Sequence, residues 1–207
     1  MTGLTATDLT LWRGPNCLFE DLSFKVATGS LLLLRGPNGS GKTTLLRVLC
    51  GLTRPETGHV EWRGESIEKN RQAYGAALAY FGHTNGLKAD LTVMQNLEFA
   101  AQLYGQSVAQ LPDLLNALNL TVCAELEARY LSAGQKRRAA LARVLMSQAS
   151  LWLLDEPVTN LDADGREYVI DRLAAQVAEG GTVVAATHED IRLQENVCNE
   201  IQLGDDW

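Results

Sequence analysis

The sequence predicts an α/β fold, a strand-rich body built on a phosphate-binding loop and interrupted by a helical insert. Three observations carry that expectation. The stretch Gly36-Pro37-Asn38-Gly39-Ser40-Gly41-Lys42-Thr43 matches the pattern G-x-x-x-x-G-K-[ST] in full. From Leu91 onward the apolar residues recur at helical rather than strand spacing. Two later apolar runs, 151–154 and 182–187, end in Asp155-Glu156 and in His188, and in an open parallel sheet ligands sit at the C-terminal ends of strands.

Taken in order, residues 4–27 read as two strands around the turn Arg13-Gly14-Pro15-Asn16, with Leu18, Leu22, Phe24 and Val26 alternating with polar neighbours as in a half-buried antiparallel strand. Ser30-Leu31-Leu32-Leu33-Leu34 is a strand apolar on both faces, the loop follows, and the segment from Thr44 to Cys50 is a helix that Gly51 stops. In the loop, glycines let backbone N–H groups turn inward around phosphate oxygens, and the helix aims its positive end at the anion. Lys42 is the mobile charge for the β- and γ-phosphates, and Thr43 offers a hydroxyl to Mg²⁺. Short strands are expected at 58–64 and 78–81.

The helical insert, roughly 85–147, opens with the capping box Thr92-Val93-Met94-Gln95, and Gly105 ends its first helix. Pro112 sits where a second helix would start. Ser132 caps a third helix whose first turn contains Gly134 and Gln135; the run Lys136-Arg137-Arg138 reads either as part of an anion site or as a solvated face.

The 207 residues suit one large domain, 1–207, and 46% hydrophobic residues supply its core. A formal net charge of −7 argues against nucleic acid as a partner, because displacing counterions from phosphate needs a basic field. No run approaches the ~18 apolar residues of a membrane span, and Met1-Thr2-Gly3-Leu4 lacks the features of a signal peptide, so the chain is expected in the cytosol. Cys17, Cys50, Cys123 and Cys198 are scattered and read as reduced thiols.

The phosphate loop, Leu131-Ser132-Ala133-Gly134-Gln135, residues 151–156, Asn160-Leu161-Asp162 and His188, in this order, resemble the ATP-binding subunits of ABC transporters over essentially the whole chain. The resemblance implies a P-loop NTPase core with an antiparallel β lobe and an inserted helical lobe, the ABC ATPase fold, and it implies ATP and Mg²⁺. Asp155 then looks like the acid that holds Mg²⁺, Glu156 like the base that orients the attacking water, and His188 like the switch histidine on the γ-phosphate. Asp162 resembles the acid that communicates across a head-to-tail dimer. Ser132 and Gly134, with Gln135 beside them, would face the nucleotide held by residues 36–44 of a second copy. His83 stands where the family has Gln, at a loop that meets Mg²⁺ and the membrane subunit; a lone loop His is otherwise a surface residue. Trp12 is the candidate to stack on adenine, the alternative being a core or turn Trp.

Within that family, the short chain, Gly82-His83, the Ala133 variant of the signature and the segment 155–162 together resemble the ATPase subunits of cytochrome c maturation systems. That likeness implies an integral membrane subunit of the CcmB type, a neighbouring haem-handling complex, and a place on the cytoplasmic face of the inner membrane. Two rivals remain at this stage: the ATPase of another small exporter for lipids, lipoproteins or drugs, and a soluble ABC-type ATPase acting on DNA or the ribosome. A P-loop kinase or GTPase has no use for residues 131–135.

Overall fold

Near the N-terminus, β1 (Thr2–Arg13) and β2 (Asn16–Ala27) form an antiparallel hairpin that turns at Gly14, where φ is 61°. The computed structural model describes residues 2–193 and 197–204. Alternation in β2 departs from the sequence expectation: Phe19, Leu22 and Val26 are buried, whereas Leu18 and Phe24 are only partly so. The cause is a pair of irregularities, with Asp8 at φ 49° and Asp21 at φ 48°, that shift the register on both sides of Leu9. Ser23 Oγ accepts from the Asp8 amide at 2.8 Å and donates to Asp8 Oδ1 at 2.9 Å, which holds the distortion in place.

The chain then runs through β3 (Ser30–Arg35), α1 (Lys42–Leu49), β4 (Thr57–Trp62), β5 (Glu65–Ser66), α2 (Arg71–Ala77) and β6 (Leu78–Phe81). Three helices follow, α3 (Val93–Tyr104), α4 (Leu111–Ala117) and α5 (Ala133–Leu145). Last come β7 (Leu151–Asp155), α6 (Ala163–Ala178), β8 (Thr182–Ala186) and β9 (Cys198–Gln202). The expected capping box of Thr92 with Gln95 forms, the expected Ser132 cap proves to be a second box closed by Gln135, and Gly51 and Gly105 stop their helices at positive φ.

Strands β2-β1-β4-β5 make an antiparallel sheet, and β6-β7-β8-β3-β9 make a parallel one. Successive side chains of a strand point to opposite faces, so the continuous apolar runs of β3, β7 and β8 serve two cores at once. Leu31, Leu33, Trp152, Leu154, Val183 and Ala185 pack with the helical insert and α6. Leu32, Leu34, Leu151, Leu153, Val184 and Ala186 pack with α1 and the antiparallel sheet. This arrangement sets the ends of β3, β7 and β8 side by side under one cleft.

Candidate functional site

Only glycine lets the chain leave β3 as it does. Gly36 has φ 133°, and a Cβ there would stand 2.2 Å from the Leu203 carbonyl oxygen. Gly41, at φ 95°, caps α1 in the left-handed region and packs against Leu18 of the hairpin. Lys42 is only 7% exposed, and its Nζ donates to the carbonyls of Gly36 at 2.6 Å and Pro37 at 2.8 Å, closing the loop on itself. Burial lowers the Lys42 pKa, and the carboxylates of Glu156 and Asp155 work against that shift. Ser40 turns its side chain against Gly36 and Gly204.

The two acids meet this loop from β7. Thr43 Oγ1 donates to Asp155 Oδ2 at 2.9 Å. Burial pushes the Asp155 carboxyl up; the Thr43 hydrogen bond and the Arg137 guanidinium oppose that, Glu156 adds to it, and His83 opposes it. The strand stops at Asp155, one residue short of the sequence expectation, because Glu156 enters the left-handed region at φ 51°. Its amide donates to the Ala186 carbonyl at 2.8 Å, its Oε2 accepts from Thr159 Oγ1 at 2.9 Å, and its Oε1 lies 3.6 Å from His188 Nε2. His188 Nε2 is also 2.9 Å from Asn38 Oδ1. Arg35 brackets the histidine, donating to the carbonyls of Thr187 at 3.1 Å and Glu189 at 2.5 Å.

A cleft of about 510 Å³ is lined by Asn38, Gly39, Gly41 to Thr44, His83, Asp155, Glu156 and His188. Most of the residues expected from the sequence are thereby brought together, across a separation of 150 residues in the case of Asn38 and His188. Trp12 is not among the lining residues: it is 43% exposed, while its hairpin neighbours Arg13 and Leu18 line the cleft. Among the described residues no group of three His, Cys, Asp or Glu could hold a metal by itself. The donor set of one hydroxyl and one carboxylate, already in contact, fits Mg²⁺, which takes one or two protein oxygens and completes its shell from phosphate and water.

Ser132, Gly134 and Gln135 are absent from this cleft. Ser132 is exposed, and both it and Gln135 are engaged in the cap of α5, with bonds of 3.2 and 2.9 Å. Asp162 caps α6 through Gly165 at 3.0 Å and accepts from Asn119 Nδ2 at 2.5 Å, so it ties the helical insert to the core within one chain.

Sequence reasoning missed Arg137, Thr159 and Arg35. Arg137 does not join a solvated face: it is half-buried, lines the cleft, and donates to the Asp155 and Glu156 carbonyls. Thr159 carried a weak signal, a hydroxyl three residues beyond Glu156. Arg35 had the position, at the end of the strand that leads into the phosphate loop, but nothing local to mark it.

A family model described as ABC transporter matches residues 19–159. Proteins named cytochrome c biogenesis ATP-binding export protein CcmA are similar along the chain. The one from Nitrosomonas europaea is 44% identical over 190 residues, covering 91% of this chain and 89% of its own. That from Tatumella citrea is 40% identical over 200 residues, covering 97% and 95%, and that from Nitrosococcus oceani 45% over 181 residues, covering 87% and 83%. Among solved structures, an ATP binding subunit of an ABC transporter superposes with TM-score 0.83 at 28% identity, over 97% of this chain and 85% of that one. A putative ABC transporter ATP-binding protein from Pyrococcus furiosus superposes with TM-score 0.75 at 25% identity, over 97% and 96%.

Proposed function

The chain belongs to the ABC transporter family as an ATP-hydrolysing subunit, and from that premise we propose that it energises a CcmA-type export complex of cytochrome c biogenesis. The observation that carries the specific reading is the likeness to proteins of that name, 44% identical over 91% of this chain in one case. No helix among the described residues is long and apolar enough to cross a membrane. On this proposal an integral subunit of the CcmB type carries the work into the membrane, as the likeness to CcmA proteins suggests. The chain would act peripherally on the cytoplasmic face of the inner membrane, beside a haem-handling complex. We place the contact with the membrane subunit at a recess of about 370 Å³ lined by His83, Asn85, Tyr104 and Arg143.

The chemistry follows from the positions of the side chains. Phosphate oxygens replace the Gly36 and Pro37 carbonyls as acceptors for Lys42, and the N-terminus of α1 supports the same charge. Thr43 and Asp155 would hold Mg²⁺, which spreads the charge developing on the β- and γ-phosphate oxygens. Glu156 accepts a hydrogen bond from the attacking water and so orients it in line with the γ-phosphorus. His188, bridging Asn38 and Glu156, donates to a γ-phosphate oxygen. Trp12, whose hairpin neighbours Arg13 and Leu18 line the cleft, would offer its exposed ring to adenine.

Because Ser132 and Gly134 lie away from the cleft of their own chain, we read them as the other half of a second copy's site. Two chains packed head to tail would enclose two nucleotides, Asp162 lying near the junction. Closure driven by ATP and reopening after phosphate loss then move the membrane subunit.

Deleting the gene and scoring covalent haem in c-type cytochromes tests the specific assignment. Loss of holocytochromes, restored by the wild-type gene and not by Lys42→Ala, is expected. Normal cytochromes would remove the assignment to cytochrome c biogenesis and leave the ATPase intact.

A further inference from the structure

The backbone that presents the acid pair needs to be held. Glu156 sits at φ 51° and Asn160 at φ 62°, in the left-handed region that side-chain-bearing residues seldom occupy. Such conformations persist where the surroundings over-determine them. From one side the Glu156 amide is fixed by the Ala186 carbonyl of β8 at 2.8 Å. From the other side the hold comes out of α5: Arg137 Nη2 donates to the Asp155 carbonyl at 2.6 Å and to the Glu156 carbonyl at 3.1 Å.

Arg137 is itself fixed. Its guanidinium lies over the Phe81 ring, 4.7 Å from the centroid, and Phe81 is a buried residue at the end of β6, two positions before His83. A planar, permanently charged group with several donors can stack and reach two carbonyls together, which a lysine ammonium cannot do equally well. Arg137 also lies one helical turn beyond Gly134 on α5, so any displacement of the turn carrying Ser132 and Gly134 displaces the guanidinium with it.

We propose that Arg137 is a positioning residue for hydrolysis, which sets the Glu156 carboxylate through the backbone of residues 155–156 and transmits the placement of α5 to it. The inference rests on Glu156 acting as the base. When α5 is seated, the two carbonyls are clamped and the carboxylate faces the cleft; when α5 shifts, the clamp slackens and the water loses its orienting group. ATP binding changes far less than turnover, because it is carried mainly by Lys42 and the loop amides, which do not touch these carbonyls.

The test uses the full chain in its membrane complex, with ATP affinity measured by equilibrium binding and turnover by phosphate release. Arg137→Met keeps an apolar stem over Phe81 and removes the donors; Arg137→Lys keeps the charge and one donor point. The Met variant should lower kcat about 30-fold, in the range that a small misplacement costs, with ATP Kd and KM within about twofold of wild type. The Lys variant should recover part of the loss. Unchanged kcat in Arg137→Met overturns the inference, as does a loss of ATP affinity in proportion to kcat. If the Met variant does not fold, the Lys variant decides by the same split between kcat and Kd. Glu156→Gln runs alongside: its retained activity would strike the base assignment itself, whereas inactive Glu156→Gln with fully active Arg137 variants strikes only the role of Arg137.

Discussion

Thr43 Oγ1 of α1 and Asp155 Oδ2 of β7 are 2.9 Å apart, although 112 residues separate them in the chain and β8 lies between β7 and β3, the strand that leads to α1. The loop arches from the end of β3 across β8 to reach the end of β7. A hydroxyl and a buried carboxylate are thus in contact at the point where a hard cation would sit between protein and phosphate.

Burial holds the Asp155 carboxyl above its ordinary value of 3.8, so the folded chain binds a proton there more tightly than the unfolded chain does. By linkage, that contribution favours folding below pH 3.8 and is lost as pH rises through the raised value. In nucleotide-free protein with Mg²⁺ chelated by EDTA, Asp155→Asn should therefore melt about 2–4 °C above wild type near neutral pH. The gain should shrink as pH falls toward 3.8, and the variant should have no Mg²⁺-dependent ATPase activity. Calorimetry across pH checks this; a melting temperature equal to or below wild type near neutrality contradicts it.

Lys42 is buried with its ammonium resting on two loop carbonyls, Gly36 and Pro37. Replacing it with alanine leaves both carbonyls without that donor and takes away the charge proposed to meet the β- and γ-phosphates. Lys42→Ala should lose at least ~100-fold in ATP turnover, the scale of removing one preorganised donor from a water-poor site. Near-normal phosphate release by this variant would sink the placement of the site.

Gly36 offers a test of the loop that does not depend on activity. A methyl group there would stand 2.2 Å from the Leu203 carbonyl oxygen, in backbone at φ 133°. Gly36→Ala should destabilise the chain by about 2 kcal/mol or more, read as a lower urea midpoint at unchanged slope. Gly134→Ala is the control, because its nearest neighbour, Arg138, is 3.8 Å away.

What the sequence disclosed was whatever could be read within a few residues. The phosphate loop, the capping box at Thr92, the Ser132 cap and the strand runs are local patterns, and each formed, β7 one residue short. The left-handed turn at Glu156 left no trace, because its causes, the Ala186 carbonyl and Arg137, lie in other elements. Arg137 was hidden inside a basic run that reads equally well as solvated surface. The shifts at Asp8 and Asp21 upset the alternation of β2 because bulges depend on both strands together. Helix α6 went unread although Val169, Leu173 and Val177 recur at helical spacing, and Asp162, noticed for another role, is its cap. Strand β9 pairs with β3 through backbone while its residues remain half-exposed or exposed, so no apolar run announces it.

A site completed by a second copy can be tested by mixing two defective variants. Lys42→Ala disables the phosphate loop; Gly134→Asp, at a position where an added Cβ meets nothing nearer than Arg138 at 3.8 Å, places a carboxylate where a partner's γ-phosphate is proposed to lie. Each variant alone should be inactive in the membrane complex. Co-assembled in equal amounts, half of the dimers pair one variant with the other, and each such dimer holds one intact site of two, so about a quarter of wild-type phosphate release should return. An inactive mixture, or Gly134→Asp active by itself, would contradict the shared site.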